Sequence, residues 1–272
     1  MKQHHIESHN ISNTCPFTLI SGPCVVESES CVYETAEYLK KICADLGVPL
    51  IFKASIEKAN RTSSKSFTGL GRREALNILA NVRKDLGLPV ITDVHDVGMV
   101  ELVAHEVDFL QIPAFLCRQT ALVQAAAATK LPVNIKKGQF LSPNDMRFVL
   151  EKAYEVGNND IMLCERGSCF GYNNLVVDYR GMAIMKSFGA PVVFDATHSV
   201  QLPGAGDGCS QGERIYAPML ASASLTLGIA ALFMETHPDP SKALSDGPNS
   251  IPLREMQKHL SSFCQIDKLI KQ

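Results

Sequence analysis

One punctuation mark recurs along this chain and restricts its fold more than any other feature. LGVPLIF at 46–52, LGLPVIT at 86–92, KLPVNI at 130–135 and FGAPVVF at 188–194 share one layout. A helical pattern stops, a Gly or Lys and then a Pro follow, and a short apolar run begins, as a helix-to-strand junction requires. Similar runs without the junction lie at 18–26 (TLISGPCVV), 109–114 (FLQIPA), 161–167 (IMLCERG) and 231–237 (ALFMETH), making eight strand candidates. Helical patterns fill the gaps. Residues 29–46 carry apolar groups at Val32, Ala36, Leu39 and Cys43, and similar patterns cover 72–86, 96–106, 118–129, 143–156, 178–188, 213–229 and 250–262.

Strands that are apolar almost throughout, alternating with helices, form a parallel sheet covered by helices. Eight βα units in about 250 residues suit a closed (β/α)8 barrel better than a six-stranded open sheet. No GxGxxG follows the first strand, which argues against a dinucleotide-binding sheet. The expectation is therefore a single α/β domain, a (β/α)8 barrel over 17–272, with an N-terminal extension, 1–16, covering the N-terminal mouth. The Gly-rich segments 167–177 and 200–212 are expected to be mobile βα loops.

Composition narrows the function classes. Of 272 residues, 46% are hydrophobic and 20% charged, with a net charge of −2, an ordinary globular balance. Scattered basic residues and only 7% aromatics speak against nucleic-acid binding. MKQHHIESHNIS has no apolar core of a signal peptide, and LTLGIAALFM is too short to cross a bilayer. Nine cysteines, an odd number without CxxC pairing, read as reduced thiols of a cytoplasmic protein.

In such barrels chemistry sits at the C-terminal ends of the strands. The sequence places there Cys24 (strand 1), Lys53 and Ser55 (strand 2), Asp93 and His95 (strand 3), and Gln111, Pro113 and Phe115 (strand 4). Strand 5 adds Asn134, Lys136 and Lys137, strand 6 Glu165 and Arg166, strand 7 Asp195 and His198, and strand 8 Glu235 and His237, with Asp246 in the loop beyond. Period-2 alternation puts Asn134 and Lys136 inside, so Lys136 is preferred to Lys137. It likewise turns Ile51, Lys53 and Ser55, and Phe233 and Glu235, to the interior.

Closure makes strands 7, 8 and 1 neighbours, so Cys24, His198, Glu235 and Asp246 can converge. A thiolate, an imidazole and two carboxylates suit zinc, iron(II) or manganese(II). Each residue also has a plain alternative, such as a Cys that is only a small core residue. Across the rim lie the segment KASIEKANR at 53–61 and its neighbours. Lys53, Lys58, Arg61, Lys136 and Arg166 make a cationic bowl suited to phosphate and carboxylate groups. A solvated basic loop would explain the 53–61 run taken alone. Five cations across three strands call for several anionic groups, hence two phosphorylated reactants.

The segments KASIEKANR, QIPAFLCRQT, NIKKGQF, ERGSCFGYNNLVVDYRG, FDATHSVQ and METHPDP…SDGPN together resemble the 3-deoxy-D-manno-octulosonate 8-phosphate synthase family, over about residues 18 to 250. The resemblance implies a (β/α)8 barrel, a homotetramer, and condensation of phosphoenolpyruvate with D-arabinose 5-phosphate and water. It places phosphoenolpyruvate on Lys53, Lys58, Lys136 and Arg166, with Gln139 nearby. It places arabinose 5-phosphate on Asn60, Arg61, Ser63 and Ser64, with Gln111, Ala114 and Phe115 lining the pocket and Asp93 in the site. Cys24, where metal-independent members have Asn, and Ser245 before Asp246 imply the metal-dependent type. Cys24, His198, Glu235 and Asp246 are then the ligands, and His198 or Asp246 is the candidate proton carrier beside Lys136 and Arg166. The rival is 3-deoxy-D-arabino-heptulosonate 7-phosphate synthase, which takes erythrose 4-phosphate. That family reads KPRTS where this chain has KANRTS, so Asn60 argues against it. A non-catalytic phosphosugar-binding barrel and a metal-dependent aldolase are the other readings.

Overall fold

The computed structural model describes residues 4–59, 67–205 and 211–272. The eight expected strands form one closed parallel barrel. They are β1 (Thr18–Gly22), β2 (Leu50–Lys53), β3 (Val90–Asp93), β4 (Phe109–Ile112), β5 (Val133–Lys136), β6 (Ile161–Glu165), β7 (Val192–Asp195) and β8 (Ala231–His237). Each pairs with the next, and β8 returns to β1 in the register Thr18↔Ala231 to Gly22↔Glu235, which closes the cylinder. Helices α1 (Glu29–Leu46), α2 (Arg72–Leu86), α3 (Val97–Ala104), α4 (Thr120–Ala128), α5 (Met146–Glu155), α6 (Tyr179–Ser187), α7 (Ala217–Leu225) and α8 (Met256–Ile270) follow the strands in turn.

Helix ends obey local chemistry. Ser28 caps α1 by accepting from the Cys31 N–H, and Asp96 caps α3 by accepting from the Met99 N–H. Two helices depart from the sequence expectation. α7 is preceded by a 3-10 turn, Arg214–Tyr216, and ends before Gly228, whose positive φ closes the connection to β8. α8 begins later and runs to Ile270, because buried Met256, Leu260, Phe263 and Asp267 continue the helical spacing past 262. β1 stops at Gly22 rather than continuing to 26, although an isolated parallel bridge still joins Val25 to Ser55.

The core has two compartments. The larger lies between barrel and helices and includes Leu19, Phe52, Leu110, Ile135, Leu163 and Phe194 on the strands and Val32, Leu79, Met182 and Leu260 on the helices. The smaller fills the barrel, with Ile20, Ile51, Ile91, Phe109, Met162, Val193 and Phe233 pointing inward. Ile6 and Ile11, bridged antiparallel to each other, belong to that inner cluster, and the His9 ring lies 4.5 Å from Phe109. Both Gly-rich segments start from short antiparallel ladders. Ser168–Cys169 pairs with Leu175–Val176, and Gln201–Leu202 with Gln211–Gly212.

Candidate active site

The inward alternation that packs Ile20, Ile51, Ile91 and Phe233 in the barrel middle turns the next inward positions toward the C-terminal rim. There a cavity of about 450 Å³ is lined by Lys53, Lys58, Asp93, Gln111, Ala114, Phe115, Lys136, Gln139, Arg166, His198 and Asp246, among others. Charged residues at the ends of β2, β3, β5, β6 and β7 thus line one cavity. Asn60, Arg61, Ser63 and Ser64 lie outside the described residues.

On one flank, four donors gather. Ligand atoms of Cys24, Glu235 and Asp246 all lie within 4.8 Å of one another. His198 Nε2 lies 3.5 Å from Asp246 Oδ2 and 3.9 Å from Glu235 Oε2. Glu235 Oε2 is buried without a hydrogen-bond partner, whereas Oε1 accepts from Lys53 Nζ at 2.6 Å. A buried carboxylate oxygen left open toward a thiol, an imidazole and a second carboxylate is what a divalent cation would complete, so the residues fit a metal. Burial, with the Glu235 carboxylate beside it, pushes the Cys24 thiol up to about 12. The thiol is therefore protonated as it stands, lying 3.5 Å from Asp246 Oδ2 and 2.9 Å from Ser245 Oγ, and a metal would displace that proton.

The opposite flank is cationic and hydrogen-bonded. Lys53 Nζ also donates to the Cys24 carbonyl, and Lys58 Nζ donates to Ser55 Oγ at 3.0 Å. Ser55 and Gln111 both donate to Asp93, and Asn134 donates to Gln111 at 2.9 Å, so one polar chain crosses β2 to β5. Burial alone would raise the Asp93 pKa, but the Lys53 and Lys58 ammoniums hold it well below the usual carboxylate range. Lys136 Nζ sits 3.6 Å over the Phe233 ring, and Arg166 donates to Gln201 at 3.0 Å. Gln139 Oε1 is buried and unpaired.

Lys136 and Lys137 diverge as alternation demands. Lys136 lines the cavity. Lys137 is fully buried away from it, 3.3 Å from Glu165 Oε1 and within reach of the Gly138, Leu141 and Gly167 carbonyls. Glu165 in turn accepts from the backbone N–H groups of Arg166 and Gly167. This pair therefore shapes the turn that presents Arg166. His95 lines the cavity too. Its Nδ1 is buried without a hydrogen-bond partner, and burial lowers its pKa despite nearby Asp93.

A profile of the DAHP synthetase I family matches residues 5–272. The chain is 57% identical over 258 residues to a 2-dehydro-3-deoxyphosphooctonate aldolase of Aromatoleum aromaticum, covering 94% of this chain and 92% of that one. It is 55% identical over 262 residues to the protein of the same name from Dichelobacter nodosus, covering 96% and 95%. A third, from Acidithiobacillus ferrooxidans, is 56% identical over 256 residues, covering 94% and 91%. The chain belongs to the DAHP synthetase I family. The family profile bears the heptulosonate name of the rival reading, while these full-length relatives all bear the octonate name.

For a member of this family, two features were missed from sequence. Asp195 was read as a strand end but given no role, yet it joins the two flanks. It accepts from Lys136 Nζ at 2.5 Å and lies 2.8 Å from His198 Nδ1. The signal was present, since a carboxylate ending the apolar run VVF is as conspicuous as His198 three residues on. The second is a Glu27, Cys31 and His237 group, whose donor atoms also lie within 4.8 Å of one another. His237 Nδ1 accepts from the Asp239 N–H, so Nε2 carries the proton and gives it to Glu27 Oε1 at 2.5 Å. That imidazole is committed to hydrogen bonds. Glu27 Oε2 accepts from the Leu244 N–H, tying down the loop before Ser245 and Asp246.

Proposed function

We propose that this chain condenses phosphoenolpyruvate with D-arabinose 5-phosphate and water to give 3-deoxy-D-manno-octulosonate 8-phosphate and phosphate, a step toward the lipopolysaccharide inner core. It is a transferase with the octonate activity its relatives are named for. One observation carries the reading: a buried row of cations faces a Cys–His–Glu–Asp group across one cavity, in a chain matched nearly end to end by those relatives. The working unit is read as a homotetramer in the cytoplasm, its catalytic domain residues 17–272 and its extension 1–16. Among the described residues no helix is long and apolar enough to cross a membrane.

Lys53, Lys58, Lys136 and Arg166 receive the carboxylate and phosphate of phosphoenolpyruvate, with Gln139 lining the same cavity. Their fixed charges stabilise the developing negative charge without having to reorganise. Asn60, Arg61, Ser63 and Ser64 take the aldose phosphate, and Ser55, Asp93, Gln111, Ala114 and Phe115 line its path. C3 of the enol forms a bond to the aldehyde carbon, and water adds at C2. The resulting hemiketal phosphate then breaks its C–O bond to release phosphate. The aldehyde oxygen gains a proton and the attacking water loses one. This reading gives those transfers to His198, or to Asp246 through a water. Cys24, His198, Glu235 and Asp246 would hold a divalent ion, zinc, iron(II) or manganese(II), which when bound supplies Lewis-acid polarisation of a carbonyl or acidification of water.

The test is phosphate release from phosphoenolpyruvate by purified protein offered arabinose 5-phosphate or erythrose 4-phosphate, with chelator and with added divalent ions. Arabinose 5-phosphate is expected to drive release far faster. Preference for erythrose 4-phosphate would move the chain to the heptulosonate reading. Ligand binding without release would make it a non-catalytic barrel.

A further inference from the structure

Asp195 ends β7 with its side chain fully buried between the two flanks of the site. Each hydrogen bond its carboxylate makes is to Lys136 or His198, both of which the proposed reaction uses. Oδ1 accepts from the backbone N–H of His198 at 2.9 Å. Oδ2 faces two donors, His198 Nδ1 at 2.8 Å and Lys136 Nζ at 2.5 Å. An ionised carboxylate can only accept, so the imidazole must place its proton on Nδ1. In the neutral imidazole that leaves the Nε2 lone pair free for a cation, and Nε2 is the atom facing Asp246 and Glu235. Asp195 therefore selects the tautomer able to bind a cation, as an outer carboxylate does for a metal-bound imidazole.

The same oxygen also pins Lys136 over the Phe233 ring. Lys136 and His198 thus draw on one negative charge. Whatever pulls the Lys136 ammonium away, such as an anionic substrate group, leaves more of that charge to His198 and makes Nε2 a stronger donor.

We propose that Asp195 is a shared positioning residue that orients His198 for a divalent cation, holds Lys136 for an anionic substrate group, and thereby links the two subsites. This rests on the metal reading of the Cys24, His198, Glu235 and Asp246 group.

The experiment titrates cobalt(II) into chelator-treated protein and records affinity and visible absorption for wild type, Asp195→Asn, Lys136→Met and the double variant. Asn keeps the shape but offers an amide N–H to Nδ1, favouring the wrong tautomer. Cobalt affinity is expected to fall by roughly 10–100-fold, as for loss of an outer-shell partner, with altered absorption bands. Lys136→Met is expected to tighten cobalt binding several-fold and shift the bands, and both effects should vanish in the Asp195→Asn background. If Asp195→Asn does not fold, the Lys136→Met spectrum decides alone, because removing a distant charge changes affinity but not the ligand field. Wild type that binds no cobalt would sink the metal reading and this proposal together. Wild type that binds cobalt, with affinity and spectrum unmoved in the variants, would sink this proposal alone.

Discussion

At the residue scale, the site is a set of buried polar groups, each tolerable only because another answers it. Lys53 is almost fully buried, and it is held by the Glu235 carboxylate and the Cys24 carbonyl. A buried charge without such partners is strongly destabilising. Glu235 Oε2 departs from that rule, as do His95 Nδ1 and Gln139 Oε1: it has no hydrogen bond, and it faces the ligand group. Cys24→Ala removes the one soft donor there. The variant is expected to lose bound metal, measured by elemental analysis of the purified protein, and to fall in phosphate release by roughly tenfold or more. Undiminished wild-type activity in excess chelator would contradict that.

At the element scale, the site depends on how closely β1 approaches β2. A Cβ added at Gly22 would lie 2.1 Å from the Lys53 carbonyl oxygen, far inside contact distance. Gly22→Ala must therefore push apart the strand ends that carry Cys24 and Lys53. It is expected to cost about 2–3 kcal/mol in denaturant unfolding and to weaken phosphoenolpyruvate binding. A variant as stable as wild type would show that the backbone there yields easily. The element pattern itself was legible because each helix-to-strand junction carries its own local chemistry; all eight strands lie on their expected runs, with β2, β3, β5 and β7 ending one residue beyond them. The start of α8 and the length of α7 were not, because they depend on how α7 and α8 pack on each other, α8 on α1 and α7 on the barrel, rather than on propensity.

At the scale of the whole molecule, ionised carboxylates concentrated on one rim set the acid limit of the fold. Burial would raise the pKa values of Asp93 and Asp195, but Lys53 and Lys58 for the first, and His198 and Lys136 for the second, hold both well below the usual range. Unfolded aspartates bind protons near pH 4, so the unfolded chain takes up protons that the folded one refuses. The stability from these groups is complete above about pH 5. It falls as the pH drops through the acid range toward the folded values. Unfolding midpoints in urea should therefore decline steeply below about pH 4. The decline should be smaller in Asp93→Asn. A midpoint independent of pH down to 3 would show that these ion pairs contribute nothing net.

The residues alone determined the barrel, the ring of strand ends and the choice of Lys136 over Lys137. Those follow from periodicities of one chain segment: apolar runs, Pro junctions and the two-residue alternation of a strand. Folding decided what lies between distant segments. Asp195 meets a lysine 59 positions away, and Glu27 reaches His237 across 210 positions. No local rule encodes such pairings, because they exist only once the strands have curled into one sheet, with β5 and β7 flanking β6 and β8 returning beside β1.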